Sequence, residues 1–70
     1  MPLIPVNSSN LAAVGYDDFA AILRIRFRNG GIYDYFDVPY SVYLGLMYAP
    51  SKGRFHERRI RWAYPHERVA

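Results

Sequence analysis

Arg54, Arg58 and Arg61 recur at spacings of four and three, which on a helix lines their guanidinium groups along one face. Lys52 and Arg59 add charge beside them, and Trp62 follows with a large flat ring. Guanidinium groups grip phosphate oxygens through paired N–H donors, and an aromatic face stacks on any base. These residue types at this spacing therefore fit contact with a nucleic-acid backbone without sequence readout. The same pattern also suits an ordinary solvated helix face, so charge distribution has to weigh in. Residues 1–50 hold three arginines against four aspartates, a net of −1, whereas residues 51–70 hold six cations against two glutamates, a net of +4. The overall charge of +3 is thus a property of the C-terminal segment, and a polyanionic partner is the first expectation.

Other chemistry finds less support. His56 and Glu57 are adjacent, and adjacent helical side chains point about 100° apart, so they form no acid–base dyad. His66 falls in a polar tail after Pro65, and Ser8 and Ser9 have neither a histidine at a motif spacing nor a nucleophile elbow. Cysteine is absent, which removes thiol nucleophiles, disulfides and thiolate metal sites. No phosphate-cradling glycine loop is present. Ser51-Lys52-Gly53 opens a helix and reads either as an anion-binding start or as a plain serine cap. The expectation is a protein that is not an enzyme, with no catalytic residue, metal or cofactor.

A second surface competes with the first. The segment after Pro39 reads as a helix to about Tyr48 without a charge on any side. Val42, Tyr43, Leu46, Met47 and Ala49 share one face, which leaves Leu44 and Tyr48 roughly opposite. An apolar patch on so small a domain marks an interface, so Leu44 and Tyr48 are the candidate residues for self-association or for docking another protein.

The elements that position these residues follow from pattern. At 70 residues, 51% hydrophobic and 17% aromatic, the chain is one globular domain with a thin core filled by large rings. Residues 11–16 read as a strand that ends at Asp17-Asp18. Residues 21–28 alternate, with Leu23, Ile25 and Phe27 on one side and Ile22, Arg24, Arg26 and Arg28 on the other. Residues 32–36 alternate again around Tyr33 and Tyr35. A two-residue Asn29-Gly30 turn would set Ile25 against Asp34 and force a carboxylate onto the apolar face. A three-residue loop, Arg28-Asn29-Gly30 with Gly30 left-handed, instead pairs Ile25 with Tyr33, Leu23 with Tyr35 and Arg24 with Asp34. The second register is expected, with both tyrosines on the core face and their hydroxyls at its rim.

Ser51 can cap a second helix running to about Ile60 or Arg61, with Phe55, His56 and Ile60 on one arc. The predicted fold class is α+β, a small three-stranded antiparallel sheet (β-β-β-α-α) with two helices packed on one face, an extended N-terminal arm and a polar C-terminal tail. The uncharged runs 1–16 and 38–51 are both too short to span a bilayer, so no membrane partner and a cytoplasmic location are expected.

Residues along nearly the whole chain also resemble a known family. Val6, Ser8-Ser9-Asn10-Leu11 and Val14-Gly15-Tyr16-Asp17 are similar to the opening of the KTSC domain, and Tyr33-x-Tyr35 resembles its Y-x-Y element. Val38-Pro39, Val42-Tyr43, Leu46, Ala49, Ser51-x-Gly53-x-Phe55 and Ile60-Arg61 continue the match, over about residues 6–64. Such domains occur alone in small bacterial proteins and at the C-terminus of some lysyl-tRNA synthetases. The resemblance implies a single domain, bacterial or phage in origin, that binds RNA rather than acting as an enzyme. Lys52, Arg54, Arg58, Arg61 and Trp62 are the residues expected to carry that binding. The alternative is an interaction or self-associating adaptor that uses Leu44 and Tyr48.

Overall fold

The computed structural model describes residues 1–70. Five strands form one antiparallel meander: β1 Ile4–Pro5, β2 Leu11–Asp17, β3 Ile22–Phe27, β4 Ile32–Tyr35 and β5 His66–Arg68, in that order across the sheet. Helices α1, Tyr40–Tyr48, and α2, Lys52–Phe55, lie between β4 and β5 in the chain, and α2 continues as a π-helical turn, His56–Ile60.

The central hairpin has the register that charge and apolarity require. Ile25 pairs with Tyr33, Leu23 with Tyr35 and Arg24 with Asp34. The loop is three residues long: the Phe27 N–H donates to the Gly31 carbonyl at 2.8 Å, and Gly30 takes φ +96°, a conformation that other residues adopt only under strain. On the face away from the core, Arg24 clasps Asp34 with Nε on Oδ1 at 2.6 Å and Nη2 on Oδ2 at 2.8 Å.

The opposite face builds the core. Leu11, Val14, Leu23, Ile25 and Tyr35 from the sheet meet Val38, Leu46 from α1 and Ile60 from the π-helical turn, all buried. Val42, Tyr43 and Met47 pack against this cluster from α1, on the face that the 3.6-residue period selects. Tyr16 ties β2 to the start of α1, since its hydroxyl donates to the Val38 carbonyl at 2.6 Å and its ring stacks on Tyr43 with centroids 5.0 Å apart. Gly45 brings the two helices together. A Cβ there would lie 2.7 Å from Cζ of Phe55, so only glycine lets that ring rest on the α1 backbone.

Two expectations are corrected. The sheet has five strands, not three, because the N-terminal arm supplies β1 and the C-terminal tail supplies β5. Neither extra strand shows apolar alternation. β1 is two residues long with a proline at the sheet edge, where the missing N–H costs no ladder bond. β5 is the polar run His66-Glu67-Arg68, held through its backbone opposite Tyr35, Asp34 and Tyr33. The second helix, in turn, is not α-helical to Arg61: the Arg61 N–H donates to the His56 carbonyl five residues back, at 2.9 Å.

Candidate nucleic-acid interface

The Ser51 hydroxyl caps α2 by accepting from the Arg54 N–H at 3.4 Å. From that start the backbone spreads the cationic side chains over two surfaces. Arg54, Arg58 and Arg59 surround a depression of about 370 Å³ floored by Pro50 and Phe55. The Arg59 guanidinium lies 5.7 Å from the Phe55 ring centroid, a cation–π distance. Arg54 and Arg58 are exposed and hold no carboxylate, since the chain's two ion pairs are Arg24–Asp34 and Arg61–Glu57. Lys52 turns back and donates from Nζ to the Ala49 carbonyl at 3.2 Å.

Arg61 and Trp62 belong to the other surface. The Glu57 carboxylate holds Arg61 at 3.0 Å, and the Arg61 guanidinium sits 4.7 Å from the Trp62 ring centroid. Trp62 is 76% exposed. Of the five residues that the sequence singles out, Arg54 and Arg58 thus share one depression, Arg61 and Trp62 border another, and Lys52 stands at the helix start. The π-helical turn is the physical reason: one carbonyl bonded five residues ahead unwinds the backbone, so the α-helical spacing no longer aligns Arg61 with Arg58.

The second surface is the mouth of a cavity of about 310 Å³. Its floor is the pair Tyr35 and His56, both nearly inaccessible, with the Tyr35 hydroxyl 2.7 Å from Nε2 of His56. Phe27 and Tyr33, which meet edge to face, form the walls, and His66 leans over Tyr35 with ring centroids 5.2 Å apart. Tyr35 and Tyr33 lie on the core face, as their alternation requires, but the Tyr35 hydroxyl is sealed by His56 and does not reach the rim. His66 is the residue that sequence reasoning missed here. A three-residue polar strand carries no periodic signal, and only its pairing with β4 brings the imidazole to the tyrosines.

Burial shifts both floor groups toward their neutral forms. It pushes the Tyr35 phenol up to about 12. Burial also holds the His56 imidazole below its ordinary 6.5, against the opposing pull of the Glu57 carboxylate. The unfolded chain therefore binds this proton more readily than the folded one. Stability contributed by neutral His56 is complete above pH 6.5 and is lost as pH falls from there toward the lower folded value. The melting temperature is expected to be level between pH 8 and 7 and to fall as the pH drops below 6.5. His56→Gln, which keeps a polar partner for Tyr35, should flatten that decline, and an unchanged decline in this variant would place the titrating group elsewhere.

On α1, Tyr48 is 83% exposed, while Leu44 is half-buried, so the patch opposite the core narrows to Tyr48. No helix is long and apolar enough to cross a membrane.

Comparison with known proteins places these features in a wider set. The KTSC domain family model matches residues 7–64. A protein of Tsukamurella paurometabola is 47% identical over 51 residues, covering 73% of this chain and 76% of its own length. A lysine–tRNA ligase of a Nostoc species is 33% identical over 69 residues, 99% of this chain but only 12% of the ligase. The crystal structure of a KTSC domain protein from Yersinia pestis superposes with a TM-score of 0.96 at 35% identity, covering 99% of this chain and 97% of that one.

Proposed function

The chain belongs to the KTSC domain family, and from that premise we propose that it is a non-catalytic nucleic-acid-binding module that takes single-stranded RNA along the cationic segment 52–62. The observation that carries this reading is the state of Arg54 and Arg58. Both are exposed and free of carboxylates, and both border a depression with an aromatic floor. Free guanidinium groups beside an apolar floor suit a phosphodiester backbone, which offers oxygens to the cations and sugar or base surface to the floor. Arg61 and Trp62 extend the surface, with the ring already oriented by the guanidinium above it. RNA is favoured over DNA because one relative, the lysine–tRNA ligase, names tRNA as what that protein acts on.

The test is a titration of the isotopically labelled domain with short single-stranded RNA and DNA oligonucleotides. Shifts are expected at Lys52, Arg54, Arg58, Arg61 and the Trp62 indole, stronger for RNA, and weakening as salt is raised. Shifts that depend on protein concentration alone and centre on Leu44 and Tyr48 would instead support the self-associating adaptor, the reading that the exposure of Tyr48 favours.

A further inference from the structure

We propose that the cavity over Tyr35 and His56 receives one unpaired nucleobase of a bound single-stranded RNA, an inference that rests on the RNA reading above and carries it from the backbone to a base. The cavity's size comes first. At about 310 Å³ it lies at the small end of the ~300–1,000 Å³ typical of small-molecule pockets, suited to a planar heterocycle with its sugar.

The walls and mouth are aromatic. Phe27 and Tyr33 stand edge to face with centroids 5.7 Å apart, and His66 tilts over Tyr35. Trp62 stands exposed at the mouth, and its stack with Arg61 reduces the ordering that binding would otherwise require. Aromatic faces of this kind stack on splayed bases regardless of sequence.

The rim chemistry separates a base from a bare phosphate. Glu57 and Arg61 neutralise each other at 3.0 Å, so this pair offers an acceptor and a donor but no net charge to draw an anion inside. Asn10 also lines the cavity, and its hydrogen bonds within the chain run only through its backbone. His66 uses Nδ1 for a long contact to the Tyr64 carbonyl at 3.4 Å, which leaves Nε2 to a ligand. Mixed donors and acceptors around stacking faces match the edge of a nucleobase. Beneath them the Tyr35 hydroxyl and His56 Nε2 bond to each other at 2.7 Å.

The experiment compares a short single-stranded RNA with its fully abasic counterpart, both titrated into the parent domain at low salt. The intact RNA is expected to bind roughly 10- to 100-fold more tightly, the range that stacking of one base provides. The Trp62 indole and the His66 ring should shift with the intact strand only, and Trp62→Ala and His66→Ala should each narrow the affinity gap. Equal affinities, with shifts confined to Arg54 and Arg58, would overturn the base pocket and leave the RNA reading standing. Binding by neither strand would overturn the RNA reading and the pocket with it. The comparison of strands uses the parent domain, so it does not depend on any variant folding.

Discussion

Reversing two charges, Arg54→Glu with Arg58→Glu, should weaken single-stranded RNA binding at least tenfold near physiological salt and leave the domain folded. Neither side chain holds an ion pair or belongs to the core, so stability should change by less than about 0.5 kcal/mol per site. Two lost phosphate contacts should make the slope of log K against log[salt] shallower by about 1.4, at about 0.7 per contact on a single strand. The loss should be uniform across RNA sequences, because phosphate contacts carry no base information. Fluorescence anisotropy with two unrelated oligonucleotides measures both quantities. A folded double variant that binds as tightly as the parent would exclude this depression as the phosphate track.

The largest effect on stability should come from Arg24→Met. Asp34 is only 6% exposed, and Arg24 supplies both of its side-chain hydrogen bonds. Removing one member of a buried pair costs about 3–5 kcal/mol because it strands the other charge. The Arg24 side chain is 35% exposed, so water reaches part of this site, and about 2–3 kcal/mol is the expected loss. A domain of this size has roughly 4–10 kcal/mol in total, so the midpoint of urea unfolding should fall steeply. Asp34→Asn, which keeps a hydrogen-bonding group and leaves the cation partly in water, should cost less. If Arg24→Met unfolds within about 0.5 kcal/mol of the parent, a range typical of neutral surface substitutions, the clasp contributes nothing beyond one.

Residues that satisfy side-chain chemistry made their part of the fold readable in advance. The hairpin register follows from Gly30, from the alternation of Leu23, Ile25 and Phe27, and from the need to give Asp34 a cation. The burial of His56 and Ile60 on one arc is likewise a matter of spacing. Features made by backbone hydrogen bonds alone left no such trace. β1 and β5 pair through main-chain groups, with little apolar pattern to announce them. The π-helical turn adds one residue to a helical ring, and no side chain marks it. Its effect on the candidate site is direct, since a stripe extrapolated at 100° per residue separates into Arg54 with Arg58 on one side and Arg61 with Trp62 on the other. The cavity over Tyr35 and His56 escaped for the same reason, because its outer wall depends on β5 delivering His66.

The salt dependence of single-stranded RNA binding tests the central claim most directly. Arg54 and Arg58, which hold no carboxylate, with Lys52 beside them at the helix start, would supply two or three phosphate contacts, and each contributes about 0.7 to the slope on a single strand. A plot of log K against log[salt] should be linear with a slope of roughly −1.4 to −2. A flat plot, or no detectable binding even at low salt, would contradict the account.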